Sequence, residues 1–446
     1  MNDTTGNRLH GDAALIKAVG FFALTAAVIN IIIGSGIFKL PGSLATQLGA
    51  AAPWAFAAGA VAIVPIALCF AAAGSRVAAT GGPYTYVGKA FGEFPGFVAG
   101  SLMWICNIAS SAAVASALCD QLAAAMPALA ATSARAGLLF AIYALLIVLN
   151  AFGVKLGSRA IMVLATIKLT PLVLFAAVGA FFVDWSAAAP VTWPGLTALG
   201  PTLVLVMFAY SGMETALIPS GEVNDPGKQV PRATLTAIAL VVAIYVGVQL
   251  VAQAAMGADL AGQKAPVAAA AGTLWKPAFA ILLATAMISM LGFLQGNMLA
   301  SARVPYALAR DGLLPAPLAR ITATHRVPLT AVFAHGLIAL ALALSSLAGG
   351  AAADAFAAFA IISGGANCMV YVGVCAAAWW LQRRGIAEHG KPFSMPGGPV
   401  VPLVSLGLMA YVLSTLTSKE WLAIGIALAV LVALYFVVRA RGRRPA

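Results

Sequence analysis

The chain has 446 residues, of which 62% are hydrophobic and only 9% charged, against roughly a quarter charged in a soluble globular domain. Apolar surface on that scale excludes a water-soluble fold of this length, so lipid must solvate much of the molecule. The formal net charge of +12 would suggest a nucleic-acid partner only if the basic residues gathered in one patch.

Residues 1–14 are short and polar, without the apolar run and small-residue cleavage site of a signal peptide, so the first span is expected to direct insertion. A bilayer core about 30 Å thick needs roughly 20 apolar residues per helix. Twelve such spans are predicted, at 15–47, 53–79, 94–124, 134–152, 157–183, 197–221, 232–256, 277–302, 328–347, 355–381, 399–417 and 421–438. Each run is continuously apolar, where a membrane barrel would alternate over about ten residues, so the fold class is all-α. Residues 439–446 form a basic tail.

Lysine and arginine fix the orientation. With the amino terminus inside, cytoplasmic segments hold 19 of the 25 basic residues and outer segments four, Arg135, Lys264, Lys276 and Lys419. The last two, Lys39 and Lys168, fall within apolar spans. Both termini are therefore expected in the cytoplasm, and the scattered positive surplus sets topology and gives no footing for nucleic acid. The five cysteines, Cys69, Cys106, Cys119, Cys368 and Cys375, lie in apolar stretches without a CxxC pair, and His10, His325, His335 and His389 are far apart. No metal site, cofactor or catalytic constellation is expected.

Two spans are interrupted. The first carries Gly34-Ser35-Gly36-Ile37-Phe38 and the sixth Tyr210-Ser211-Gly212-Met213-Glu214, and glycine disfavours helix by about 1 kcal/mol per site. The breaks stand five spans apart, at matching places in segments 15–183 and 197–381, as two five-helix repeats of opposite membrane orientation would place them. Close helix packing is the other use of such glycines. An unwound helix frees backbone groups that need a partner. Free N–H groups around Gly36 and Ile37 suit a carboxylate, aided by the helix dipole. Free carbonyls around Ile33, Phe208 and Ala209 suit an ammonium group, so an α-amino acid matches both.

Lys168 lies about ten residues, roughly 15 Å, from the inner end of its span at 1.5 Å per residue. At that depth it serves either as a proton-coupling or sodium-replacing cation at the first break, or as a structural lysine bonded to carbonyls. Glu214 follows the second break and would gate, steer an ammonium group or titrate, or else sit in pathway water as an ordinary helix residue. Asp120 reads as a solvated interfacial carboxylate and Lys39 as a snorkelling side chain at the outer mouth. Asn107 and Ser111, four apart on one face of the third span, and Asn297, mid-span in the eighth, would contact substrate or bond neighbouring helices. Phe208 and Tyr210 would cover the site as gates or simply pack.

At these residues the sequence resembles the amino acid, polyamine and organocation transporter superfamily, and within it the bacterial amino-acid permeases. The resemblance rests on Gly34-Ser35-Gly36-Ile37-Phe38 with Leu40-Pro41-Gly42, Gly81-Gly82-Pro83-Tyr84-Thr85-Tyr86 with Ala90-Phe91-Gly92, and Ser220-Gly221-Glu222-Val223-Asn224-Asp225-Pro226 with Val230-Pro231-Arg232-Ala233. Ala309-Arg310-Asp311-Gly312-Leu313-Leu314-Pro315, and Lys391-Pro392-Phe393 with Pro396-Gly397-Gly398-Pro399, extend it over almost the whole chain.

The resemblance implies a leucine-transporter-like core of two inverted five-helix repeats, with residues 399–438 as accessory helices, and alternating access in a bacterial plasma membrane. It assigns the substrate carboxylate to Ser35, Gly36 and Ile37 and the ammonium to Ile33 and the Phe208, Ala209, Tyr210 and Ser211 region. It makes Lys168 similar to the lysine that replaces sodium in sodium-independent members, and Glu214 similar to a glutamate found in several subgroups, arginine/agmatine antiporters among them. The sequence departs from those antiporters at Asn297, where an aromatic is expected, at Phe208 in place of tryptophan, at Ser111 in place of an amide, and in having Lys168. These departures favour a neutral amino acid, carried with protons or by exchange, over the alternative of a cationic amino acid or polyamine antiporter. The expected partners are the amino acid, protons and the bilayer, with a homodimer left open.

Overall fold

The computed structural model describes residues 20–77, 81–153, 158–187, 193–217, 223–322, 324–325, 327–347, 355–388 and 391–442. The expected amino-terminal segment 1–14, Ser220-Gly221-Glu222 of the third motif, and His10 and His389 lie outside them. Among the described residues, seventeen α-helices run in order: α1 (Phe21–Ile32), α2 (Gly36–Leu48), α3 (Ala52–Arg76), α4 (Pro83–Phe91), α5 (Glu93–Ala125), α6 (Thr132–Ala151), α7 (Ser158–Gly179), α8 (Gly195–Tyr210), α9 (Met213–Ala216), α10 (Pro226–Met256), α11 (Pro266–Leu274), α12 (Lys276–Ser301), α13 (Arg303–Arg310), α14 (Leu329–Ser345), α15 (Ala355–Arg383), α16 (Val400–Ser414) and α17 (Ser418–Gly442).

Among the described residues, nine stretches are long and apolar enough to cross a membrane. The first, Phe21–Arg76, runs through α1, α2 and α3, and two shorter apolar helices, Leu329–Ser345 and Val400–Ser414, add to them. The protein is thus an all-helical, multi-pass membrane protein. Burial grades the helices: the apolar window of α5 is 100% buried and that of α17 only 17%, which makes α5 the central post and α17 a lipid-facing helix.

Both interruptions are present. Between α1 and α2 the helix stops where Ile33 turns to ψ 78° and resumes at Gly36. A Cβ on Gly34 would meet the Phe293 ring at 2.9 Å. Between α8 and α9, Ser211 extends to ψ 160° and Gly212 takes φ 129°, a conformation open to glycine alone without strain. A Cβ on Gly212 would also lie 3.0 Å from the Ile32 nitrogen. The two broken helices lie against each other, α2 on α8 and α1 on α9.

The remaining helices enclose this pair. The helices α3 and α10 pack together, as do α5 and α12, and α6 and α14. On either flank α7 packs against α1, α10 and α12, and α15 against α8, α3 and α5. Two nine-residue helices, α4 and α11, each open on a proline and precede α5 and α12.

Candidate functional site

The carbonyl end of α1 is closed by side chains from three neighbouring helices. Lys168 of α7, fully buried, donates from Nζ to the carbonyls of Asn30 at 3.0 Å and Ile33 at 3.2 Å. Ser289 of α12 places its hydroxyl 2.8 Å from the Ile33 oxygen and 3.1 Å from that of Gly34, and the Tyr245 hydroxyl of α10 donates to Ile32 O at 3.1 Å. The Ile33 carbonyl, expected to be open to an ammonium group, thus already has two protein donors at its two lone pairs.

The second break is closed from its amino end. The Gly212 N–H donates to both oxygens of Glu214, at 2.9 and 3.0 Å. Asn367 Nδ2 donates to Oε1 at 3.0 Å and the Tyr371 hydroxyl to Oε2 at 2.9 Å, both from α15. Glu214 is 2% exposed, so of its two expected settings the structure gives the enclosed, fully bonded carboxylate.

Two half-helix ends carry no counter-charge in their own end turns. The helix α2 has no acidic residue in its first turn, and its leading N–H groups, at Gly36 and Ile37, precede the first intrahelical bond. Ser35 Oγ beside them is buried and has no partner among the described residues. The carboxyl end of α8 has no basic residue in its last turn. These ends meet: a Cβ on Gly36 would sit 2.8 Å from Ala209 Cβ and 2.9 Å from Ala209 Cα. Helix N-termini favour anions and C-termini cations, so the pair presents a positive and a negative pole side by side.

The structure therefore brings Ile33, Ser35, Gly36, Ile37, Ala209, Ser211, Lys168 and Glu214 to the paired breaks. Ser211 Oγ donates back to Phe208 O at 2.7 Å. Asn107 reaches the second break through Thr215, whose hydroxyl donates to Oδ1 at 3.3 Å, while Nδ2 has no partner among the described residues. The others turn toward neighbours. Ser111 pairs with the Tyr143 hydroxyl at 3.0 Å, Asn297 accepts from Ser301 on its own helix at 3.0 Å, and Phe208 meets Phe356 edge to face at 5.8 Å. Tyr210 donates to Phe56 O at 3.2 Å and stacks on Tyr245 at 5.4 Å.

Lys39 and Asp120 differ from their expected roles. Lys39 is 6% exposed and donates to Asp120 Oδ2 at 2.9 Å, and Arg135 bonds the other oxygen. The sequence alone suggests snorkelling because Lys39 and Asp120 lie 81 residues apart, and only the packed fold sets them together. Sequence reasoning also missed Ser289, Tyr245, Asn367 and Tyr371. The available signal was polar residues inside apolar spans, with Asn367 and Tyr371 four apart on one helical face.

The sequence profile of the amino acid permease family matches residues 19–438. The chain is 28% identical to a methylthioribose transporter of Bacillus subtilis, over 95% of this chain and 94% of the relative. It is 26% identical to the serine/threonine exchanger SteT of the same organism, over 94% and 95%. It is likewise 26% identical to the branched-chain amino acid permease BcaP, over 88% and 86%. These relatives are transporters and permeases, not enzymes, and with the family match over nearly the whole chain they place it: the protein belongs to the amino acid permease family, in the amino acid, polyamine and organocation superfamily.

Proposed function

We propose that this permease is a sodium-independent secondary transporter of neutral amino acids, working by alternating access as a proton symporter or an exchanger. The observation that carries this reading is the division of the four half-helix ends. The protein neutralises two of them itself, with Lys168 at the end of α1 and Glu214 at the start of α9. The two left over, the start of α2 and the end of α8, touch at Gly36 and Ala209 and match the carboxylate and ammonium of a zwitterion. Ser35 Oγ offers the carboxylate a further donor, and Asn107 with its unused amide stands near for the substrate side chain. Lys168 supplies a positive charge to the carbonyls of Asn30 and Ile33, where a coupling sodium would otherwise be needed, and an amine there can exchange protons with the pathway.

The packing supports two inverted repeats, 15–183 and 197–381. Several neighbour relations recur five spans apart: α7 on α1 as α15 on α8, α7 on α12 as α15 on α5, and α4 before α5 as α11 before α12. Counting Phe21–Arg76 as two crossings and adding the two shorter apolar helices supports twelve spans, with 399–438 as accessory helices. The lysine and arginine distribution supports a plasma-membrane protein with both termini in the cytoplasm. The names of two relatives, a serine/threonine exchanger and a branched-chain amino acid permease, favour neutral substrates.

The test is uptake into proteoliposomes of labelled serine, threonine, leucine, valine, arginine, agmatine and methylthioribose. Each is measured with and without a proton gradient, sodium and internal substrate. Saturable uptake of a neutral amino acid, indifferent to sodium, is expected. Uptake confined to arginine or agmatine would turn the reading to a cationic antiporter.

A further inference from the structure

One face of α10 follows the first broken helix along its length. Near the start of both, the Arg232 guanidinium lies over the Phe21 ring at 5.4 Å. Midway, the Tyr245 hydroxyl donates to Ile32 O at 3.1 Å. Beyond the end of α10, the Leu260 and Gln263 carbonyls lie 3.3 and 3.0 Å from where a Cβ on Gly42 of α2 would stand. The two elements therefore run parallel, and α10 packs on both α1 and α2. Gln249 stands four residues past Tyr245, on the same helical face and about 6 Å further along. That step carries it beyond Ile32 to the level of Ser35 and Gly36, where α2 begins.

Gln249 is fully buried, and neither Nε2 nor Oε1 has a partner among the described residues. Its neighbours along the face do bond, Tyr245 to Ile32 O and Gln253 Nε2 to Gly257 O at 3.0 Å. A buried amide with both ends unpaired is destabilising unless something from outside the chain takes up its bonds. The same level holds Ser35 Oγ, also buried and without a partner among the described residues, and the leading N–H groups of α2. Unused donors from two elements thus stand at one height in the fold, and α10 carries no acidic residue to accept from them. We propose that Gln249 is a substrate-binding residue, its Nε2 donating to the α-carboxylate from the α10 side while Ser35 and the N–H groups of Gly36 and Ile37 donate from the α2 side. The assignment deepens the proposed function and rests on it, since it takes the substrate to be an α-amino acid. A neutral amide adds a directional, charge-assisted bond to the carboxylate without adding charge to the site.

Gln249→Met keeps the length of the side chain and removes both polar atoms. Purified full-length protein is titrated with labelled L-leucine and with labelled L-serine, and leucinamide, which lacks the carboxylate, competes against each. Gln249→Met should raise the Kd of the amino acid at least about tenfold, the scale of one lost charge-assisted bond, and that of leucinamide by a much smaller factor. Without substrate the variant should melt at or above the wild-type temperature, because an unpaired buried amide is gone. A glutamine that served the fold alone would give the reverse, a lower melting temperature and no preference between the two ligands. Unchanged affinity for the amino acid, an equal loss for leucinamide, or a melting temperature well below wild type without substrate would each overturn the role. Wild-type protein that binds neither L-leucine nor L-serine would remove the proposed function and this role together, whereas wild-type binding that Gln249→Met leaves intact removes the role alone.

Discussion

Replacing Lys168 by methionine removes the cation while keeping the length of the stem. The wild-type amine makes two bonds, to Asn30 O and Ile33 O, and charge-assisted bonds are each worth about 1.5–3 kcal/mol. Not all of this appears as lost stability. Ile33 O keeps the Ser289 hydroxyl at 2.8 Å, so only Asn30 O is stripped of its donor, at about 1–3 kcal/mol. Removing a desolvated cation from the interior offsets part of even that. The variant is therefore expected to fold, with a modest fall in melting temperature. Transport per folded molecule should drop at least about a hundredfold, because the cation that holds the open end of α1 is gone, and 2.7 kcal/mol, roughly one such bond, is two decades in rate. Thermal unfolding of purified protein and initial-rate uptake in proteoliposomes separate the two effects. A variant with lowered stability but undiminished uptake per molecule, and unchanged pH dependence, would refute the coupling role and leave Lys168 a structural lysine.

Further outcomes concern the breaks themselves. Gly36→Ala must push a methyl against Ala209 backbone at 2.9 Å, whereas Gly34→Ala meets only the Phe293 ring, which can swing aside. Substrate affinity should therefore fall several-fold more in Gly36→Ala, as overpacking against backbone costs about 1–3 kcal/mol, and equal affinities would move the site elsewhere. Glu214→Gln turns an acceptor oxygen into a donor facing Gly212 N–H, Asn367 and Tyr371. Uptake should fall about tenfold or more by loss of a charge-assisted bond, and wild-type rates would dismiss the clasp. Gly212→Ala combines φ 129° with a 3.0 Å approach to Ile32. It should lower the melting temperature more than Gly34→Ala does.

The architecture was legible where one-dimensional signals sufficed. Long apolar runs gave the helices, so that the tenth span expected at 355–381 is α15, and paired glycines gave both breaks. The first break comes slightly earlier than Gly34 to Phe38 suggests, because Gly36 already begins α2 and only Ile33 to Ser35 are unwound. Lys168 was visible as an amine too deep to snorkel, but that it would take the Asn30 and Ile33 carbonyls, the latter expected for the substrate, was not. Less legible was everything that depends on which helices touch. The pairing of Lys39 with Asp120 spans 81 residues and that of Glu214 with Tyr371 spans 157, and no periodicity carries such information. Tyr210 illustrates the same limit, since its position beside the break does not reveal that its ring packs on Phe56 and Tyr245.

The most direct test of the central claim, a zwitterion held between the start of α2 and the end of α8 beside a lysine in place of sodium, is competition at the substrate site. Uptake of a transported neutral amino acid is measured, with sodium present or absent, against its own analogues lacking either the carboxylate or the ammonium group. Loss of inhibition when either group is removed, with no effect of sodium, is the result expected. Full inhibition by the amide or by the deaminated acid, or uptake that requires sodium, would contradict the account.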